Sequence, residues 1–158
     1  MRKGSLTIVG TGLSLAGQVT QEALSAIQEA DRFLYLVSDI VTATWLDSLN
    51  STAESLYGAY AEGRPREETY AEIVERILAR LREGGHVVVA FYGHPGVFVG
   101  PSHEAIRLAR AEGFAAQMLP GKVVEPLARG DHQHVDRPQV RRPVRRGRQQ
   151  RERVVDPL

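Results

Sequence analysis

The chain has 158 residues, which is the length of one domain, and a net charge of +1. It contains no cysteine, so disulfide bonds and thiolate metal sites are excluded. No apolar run approaches the ~18–20 residues of a membrane span, and no signal-peptide core follows Met1. We therefore expect a cytoplasmic protein with no membrane partner and no metal.

The charge is distributed unevenly along the chain. Residues 122–158 hold ten Lys/Arg, five Asp/Glu and four prolines, whereas residues 1–121 hold ten Lys/Arg and fourteen Asp/Glu. The basic segment shows neither helical nor alternating periodicity and has no hydrophobic face. We therefore expect an acidic folded domain over residues 1–121 and a basic, disordered tail over residues 122–158.

Apolar periodicity and turn residues predict strands that alternate with helices over the folded part of the chain. In chain order these are strand 5–9, helix 20–29, strand 33–37, helix 41–49, strand 55–57, helix 65–83, strand 86–91, helix 102–112 and strand 114–119. We expect Trp45 to anchor the second helix in the core and Tyr57 to pack within its strand. Alternation of this kind implies an α/β fold, a Rossmann-like parallel sheet with flanking helices and right-handed crossovers.

The stretch Phe91-Tyr92-Gly93-His94-Pro95-Gly96-Val97-Phe98 joins a buried strand to a helix through a glycine-rich loop. An α/β sheet presents ligand loops in this way, at the carboxyl ends of its strands. Tyr92 and His94 would supply hydrogen-bonding groups at that edge. The alternative is a plain strand-to-helix turn, in which His94 only braces its loop.

The topology also brings distant residues to this edge, because each crossover helix begins at the carboxyl end of the strand it leaves. Tyr60, Arg66, Tyr70, Tyr92 and His94 can therefore gather around one cleft. Two of them have simpler explanations: Tyr70 could be a core aromatic, and Arg66 could be a solvated residue. A cation in the first turn of a helix opposes the macrodipole, however, which slightly favours a special role for Arg66.

The turn Gly10-Thr11-Gly12 after the first strand invites comparison with dinucleotide-binding loops. The spacing does not fit, because Leu15 stands where the third glycine would be. The sequence contains no P-loop, no zinc signature and no Gly-x-Ser-x-Gly elbow.

Several segments resemble one family. The opening Gly4-Ser5-Leu6-Thr7-Ile8-Val9-Gly10-Thr11-Gly12 resembles that of the tetrapyrrole (corrin/porphyrin) methylase superfamily. The loop that begins at Phe91, followed by Pro101-Ser102-His103 and Met118-Leu119-Pro120-Gly121, is similar to the borosin-type peptide backbone α-N-methyltransferases within it. The resemblance covers about residues 4–121, which would be the N-terminal domain of that fold, with the C-terminal domain absent.

The resemblance implies a methyltransferase that uses S-adenosyl-L-methionine, acts as a homodimer and accepts a peptide or small molecule. By position, the implied cofactor-binding residues are Gly10, Gly12, Tyr92, His94 and Val97, and the implied catalytic residues are Arg66, Tyr70 and Tyr60.

The implied reaction is difficult because an amide nitrogen shares its lone pair with the carbonyl group. We hypothesise that Tyr70 is the base and that Arg66 favours its phenolate form and anchors the substrate carbonyl. Tyr60 would orient the substrate, and Tyr92 would align cofactor and acceptor.

The family pattern stops abruptly after Gly121. We expect a frameshift or truncation near that codon. The alternative is a basic arm for the phosphates of RNA or a membrane, which is the weaker interpretation because the arm has no interleaved aromatic residues and also carries five acidic ones. The alternative functions are methylation of a tetrapyrrole or another small molecule, and a non-catalytic Rossmann-like remnant carrying that arm.

Overall fold

A computed structural model describes residues 4–13, 17–96 and 99–121. The described part of the chain contains five strands, four α-helices and one short 3₁₀ turn. In order these are β1 (Ser5–Gly10), α1 (Gln21–Glu29), β2 (Arg32–Leu36), α2 (Ile40–Leu49), β3 (Glu54–Ser55), the 3₁₀ turn (Tyr57–Ala59), α3 (Arg66–Arg82), β4 (His86–Phe91), α4 (Gly100–Ala111) and β5 (Ala115–Met118).

The five strands form one parallel sheet in the order β3-β2-β4-β1-β5. The central pair β1 and β4 is in register from Ser5 opposite His86 to Gly10 opposite Phe91. The predicted α/β class, a Rossmann-like parallel sheet with flanking helices, is confirmed.

The sheet has a hydrophobic core on each of its faces. On one face, strand residues such as Ile8 and Val89 pack with α3 and α4; on the other, Phe33 and Val88 pack with α1 and α2. The apolar stripe of α3 is buried as predicted, and only Tyr70 at its N-terminal end remains partly exposed. The long helix therefore fixes the position of its first turn, where Arg66 lies, relative to the sheet.

Trp45 packs against the core as expected, although it is only partly buried; its neighbour Leu46 is the fully buried residue, because α2 turns that position towards the sheet. One local prediction is wrong. Tyr57 is not in a strand: β3 ends at Ser55, and Tyr57 begins the 3₁₀ turn with half of its surface exposed. The predicted domain boundary at residue 121 stays a prediction, because residues 122–158 lie outside the described part.

Within the described residues, no helix combines the length and apolarity needed to cross a membrane. The same residues contain no group of three or more His, Asp or Glu side chains that could hold a metal ion.

Helix α1 depends on a side-chain cap that can be tested. The Thr20 hydroxyl accepts a hydrogen bond from the Ala23 N–H group at 3.1 Å. We expect Thr20→Ala to lower the free energy of unfolding by about 1 kcal/mol, because that N–H group loses its partner. Urea unfolding measures the change. Thr20→Ser, which keeps the hydroxyl, should stay close to the parent, and equal losses in the two variants would contradict the capping role.

Candidate functional site

The candidate site lies at the carboxyl edge of the sheet, where four successive strands lead into loops or helix N-termini. A cavity of about 150 Å³ opens there on the side of α3 and α4. Its walls are mostly aromatic or aliphatic and come from strand ends, loops and helix starts: Leu36, Tyr60, Tyr70, Phe91, Tyr92, Val99 and Pro101.

Three of the tyrosines singled out from the sequence line this one cavity. Tyr60 follows the 3₁₀ turn, Tyr70 lies in the second turn of α3, and Tyr92 follows β4. Tyr60 and Tyr92 are 44% and 50% exposed, whereas Tyr70 is partly buried against the core. Phenol groups from three separate elements therefore surround a small space that is open to solvent.

Arg66 is the cation next to this cluster. It is the first residue of α3, one helical turn before Tyr70, and is exposed. Within the described residues its guanidinium group makes no hydrogen bond or ion pair, unlike the other arginines of α3. The group can thus contact a bound molecule without breaking an interaction with another described residue.

The cluster influences the ionisation of Tyr60. Burial is the largest cause that raises the pKa of the Tyr60 phenol above its ordinary value, and the neighbouring Tyr70 raises it further. Arg66 acts in the opposite direction and lowers that pKa. Tyr60 therefore keeps its proton at neutral pH, and its hydroxyl can donate a hydrogen bond.

A second space adjoins the cavity. A groove of about 310 Å³ runs between α3 and α4, and shares Tyr70 and Pro101 with the cavity. Apolar groups such as Val74 line most of it, and Glu67 and Glu104 stand among its lining residues. The ring of Tyr70 therefore borders both spaces.

The loops after β1 and β4 are joined to each other. Gly12 and Gly93 exchange two backbone hydrogen bonds, of 3.1 and 3.0 Å, across an antiparallel bridge. A Cβ atom at Gly10 would lie 2.3 Å from the Gly93 carbonyl oxygen, and Gly12 has a φ of +71°. Contacts inside the protein therefore already require both glycines, and their proposed role in cofactor binding stays a prediction.

His94 braces its own loop. Its Nδ1 atom accepts a hydrogen bond from the Gly96 N–H group at 3.0 Å, so the ring proton is on Nε2. This contact agrees with the simpler explanation for His94 and leaves the Nε2–H group as a donor. Val97, the remaining cofactor residue inferred from the sequence, lies outside the described residues.

Two residues of the site were missed from the sequence. Tyr57 packs against Tyr60 with ring centroids 5.6 Å apart. Ser102 is fully buried in α4, and its hydroxyl hydrogen-bonds to the carbonyl oxygens of Pro95 and Val99. The sequence did contain a signal for Ser102, namely a serine at the start of a helix directly after a glycine-rich loop. A hydroxyl buried at such a place needs a hydrogen-bond partner, and the loop backbone is the nearest one.

Proteins with assigned names are similar in sequence to most of this chain. The chain is 45% identical over 124 residues to the methyltransferase/ribosomally synthesized cyclic peptide omphalotin A precursor of Omphalotus olearius, covering 78% of this chain and 30% of that protein. It is 46% identical over 125 residues to a methyltransferase/type III borosin cyclic peptide precursor of Anomoporia bombycina, covering 79% and 14%. The chain thus spans a third or less of the length of these relatives.

Solved structures share the fold at lower identity. Uroporphyrin-III-C-methyltransferase from Thermus thermophilus superposes with a TM-score of 0.56 at 23% identity, over 77% of this chain and 49% of that one. A complex of that enzyme with S-adenyl homocysteine gives a TM-score of 0.56 at 24% identity, over 75% and 45%.

The family model described as tetrapyrrole (corrin/porphyrin) methylases matches residues 5–122, which include every described strand and helix. This match covers well over half of the chain and settles the classification. The chain belongs to the tetrapyrrole (corrin/porphyrin) methylase family.

Proposed function

We propose that this chain is the cofactor-binding α/β part of an S-adenosyl-L-methionine-dependent methyltransferase that N-methylates peptide backbone amides. The observation that carries the proposal is the cavity at the carboxyl edge, where Tyr60, Tyr70 and Tyr92 meet beside Arg66. The names of the relatives, which join a methyltransferase to a peptide precursor at about 45% identity, support a peptide acceptor.

The cofactor would supply an activated methyl group. Its proposed partners are Tyr92 and the Nε2–H group of His94, with the backbone around Gly10 and Gly12. This region fits such a ligand, because β1 and β4 are neighbouring strands whose following helices pack on opposite faces of the sheet, and ligands of α/β proteins bind at such switch points. The S-adenyl homocysteine bound by the Thermus thermophilus enzyme is in agreement.

The residues in and beside the cavity would remove the amide proton and bind the acceptor. Tyr70, as phenolate, would take the amide proton as the nitrogen gains the methyl group, and Arg66 would stabilise that phenolate and bind the acceptor carbonyl oxygen. Tyr60 keeps its proton and would donate a hydrogen bond that orients the acceptor. The groove between α3 and α4 offers room for the acceptor beyond the reacting residue.

Assembly and location are also proposals. We expect a homodimer in the cytoplasm. Large apolar side chains that are exposed in the described residues gather at the carboxyl edge of the sheet, where another surface would cover them: Leu13, Ile40, Val41, Tyr57, Tyr60 and Tyr92.

A tetrapyrrole acceptor is the second candidate, because the structural neighbours are uroporphyrin-III C-methyltransferases. Their identity of 23–24% is well below that of the peptide-precursor relatives. Mass spectrometry after incubation with S-adenosylmethionine separates the two, with uroporphyrinogen III and capped aliphatic peptides as acceptors. A methylated peptide supports the proposal, and a methylated tetrapyrrole alone contradicts it.

Cofactor binding is the most direct test. We expect isothermal titration of the 158-residue chain with S-adenosylmethionine, and separately with S-adenosylhomocysteine, to give saturable binding of micromolar affinity. Tyr92→Ala should weaken it, because the exposed ring would be a wall of the cofactor site. Adenosine, which lacks the amino-acid part of these ligands, is the control that shows how much of the affinity that part contributes. If neither sulfur compound gives heat, the chain is a non-catalytic member of the family.

A further inference from the structure

We infer that Arg64 is a positioning residue that holds the tyrosine loop, residues 56–65, against α3, and so sets the place of Tyr60 relative to Tyr70. The inference rests on the proposed function for its effect on catalysis. Its structural part, the attachment of the loop, can be tested without any reaction.

The contacts of one side chain carry the inference. The Arg64 Nη1 group donates a hydrogen bond to the carbonyl oxygen of Ala59 at 3.3 Å and also to the carboxylate of Glu72. Ala59 directly precedes Tyr60, and Glu72 lies in α3, six residues after Arg66. One guanidinium group thus joins the turn that presents Tyr60 to the helix that presents Tyr70.

The other hydrogen bonds of residues 57–64 are short in range. Ala59 and Tyr60 donate to carbonyl groups three residues earlier, at 3.1 and 3.0 Å, and the Arg64 N–H group donates to Ala61 at 3.2 Å. These bonds shape the turns but do not attach residues 57–64 to α3. Among the described residues, the side chain of Arg64 supplies the polar attachment of residues 57–64 to α3, while the buried Leu56 and Ala59 supply the apolar one; Pro65 is held separately, by Thr69 at the start of the helix.

Two nitrogens of the Arg64 guanidinium group take part in these contacts. The guanidinium nitrogens contact a backbone carbonyl in the loop and carboxylates in α3, with Glu68 at 3.8 Å from Nε. A planar fork with five N–H groups can serve several acceptors at once, whereas an ammonium group is a single point charge. The side chain is only 31% exposed, so water screens these interactions less than at an open surface.

The matched control is Arg76, the other partner of Glu72. Arg76 pairs with the same carboxylate from the next turn of α3 and, among the described residues, makes no hydrogen bond or ion pair with the tyrosine loop. Arg64→Gln breaks the attachment of the loop. Arg76→Gln removes a positive charge that pairs with the same Glu72 carboxylate, but it leaves the loop attached. Arg64→Lys keeps the charge but not the fork.

The first readout is the ionisation of Tyr60, followed by NMR of ring-labelled tyrosine across a pH titration, with the signal assigned by Tyr60→Phe. Burial and Tyr70 raise the Tyr60 pKa and Arg66 lowers it, while Tyr57 also faces the ring. Because burial is the largest of these effects, a loosened loop should bring that pKa down towards the ordinary value. We expect this in Arg64→Gln, partly in Arg64→Lys, and not in Arg76→Gln.

The second readout is methyl transfer to a capped aliphatic peptide. We expect kcat to fall by about tenfold to 10²-fold in Arg64→Gln, with the affinity for S-adenosylmethionine unchanged, because Tyr60 no longer orients the acceptor. Circular dichroism confirms that the variants fold. An unaltered Tyr60 titration in Arg64→Gln, or an equal change in Arg76→Gln, overturns the inference. Absent transfer in the parent chain contradicts the proposed function, while the titration still decides the role of Arg64.

Discussion

Replacement of Tyr70 by phenylalanine is expected to reduce methyl transfer by about 10²-fold or more, because general-base groups contribute that much to proton transfer. The substitution removes a single oxygen atom from the wall of the cavity. It keeps the ring that packs against the core, so the fold should be retained. The rate is measured by mass spectrometry with a capped aliphatic peptide, and cofactor affinity is measured by titration. We expect kcat to fall while the cofactor affinity stays the same.

A double variant tests whether Arg66 acts through Tyr70. If Arg66 acts by stabilising the Tyr70 phenolate, the double variant Arg66→Gln/Tyr70→Phe should be little worse than Tyr70→Phe alone, since the two residues would act as a unit. Additive losses would mean that Arg66 serves the acceptor independently. Full turnover by Tyr70→Phe would rule out Tyr70 as the base.

Much of this site could be predicted from the sequence, because it depends on topology. Alternating strands and helices imply a parallel sheet, and a parallel sheet collects its strand-to-helix loops at one edge. That rule alone brings Tyr60, Tyr70 and Tyr92 to the same side, and in the structure they line one cavity. The apolar stripe on α3 could also be predicted, because its apolar residues recur every three or four positions. Most of these residues are buried in the structure.

The parts that could not be predicted depend on contacts between elements. Periodicity does not specify the strand order β3-β2-β4-β1-β5, and so it could not reveal that the loops after β1 and β4 are adjacent. Tyr57 was misplaced because a two-residue strand carries almost no pattern, and the chain enters a 3₁₀ turn immediately after it. The sequence does not distinguish Arg64 from a solvated arginine, because it does not show that the 3₁₀ turn lies close to Glu72 in the second turn of α3.

The glycine at the end of β1 has the largest expected effect on stability. A Cβ atom at Gly10 would lie 2.3 Å from the Gly93 carbonyl oxygen and 2.6 Å from Cδ of Pro95. Both obstacles belong to a loop that is itself held by hydrogen bonds from Ser102 and by the bridge to Gly12. The loop cannot move away without losing these bonds.

We therefore expect Gly10→Ala to lower the free energy of unfolding by about 1–3 kcal/mol, the range for overpacked interiors. Cofactor affinity should fall as well. A wider separation between the loops after β1 and β4 would displace both Tyr92 and His94, which lie in the second of these loops. Gly58→Ala is the matched control: a Cβ atom there has no neighbour within 4 Å, so its stability should stay within about 0.5 kcal/mol of the parent. Urea unfolding and S-adenosylmethionine titration of both variants measure the two effects. Lost stability with unchanged cofactor affinity would mean that the Gly10–Gly93 contact is purely structural and that the cofactor does not depend on this pair of loops.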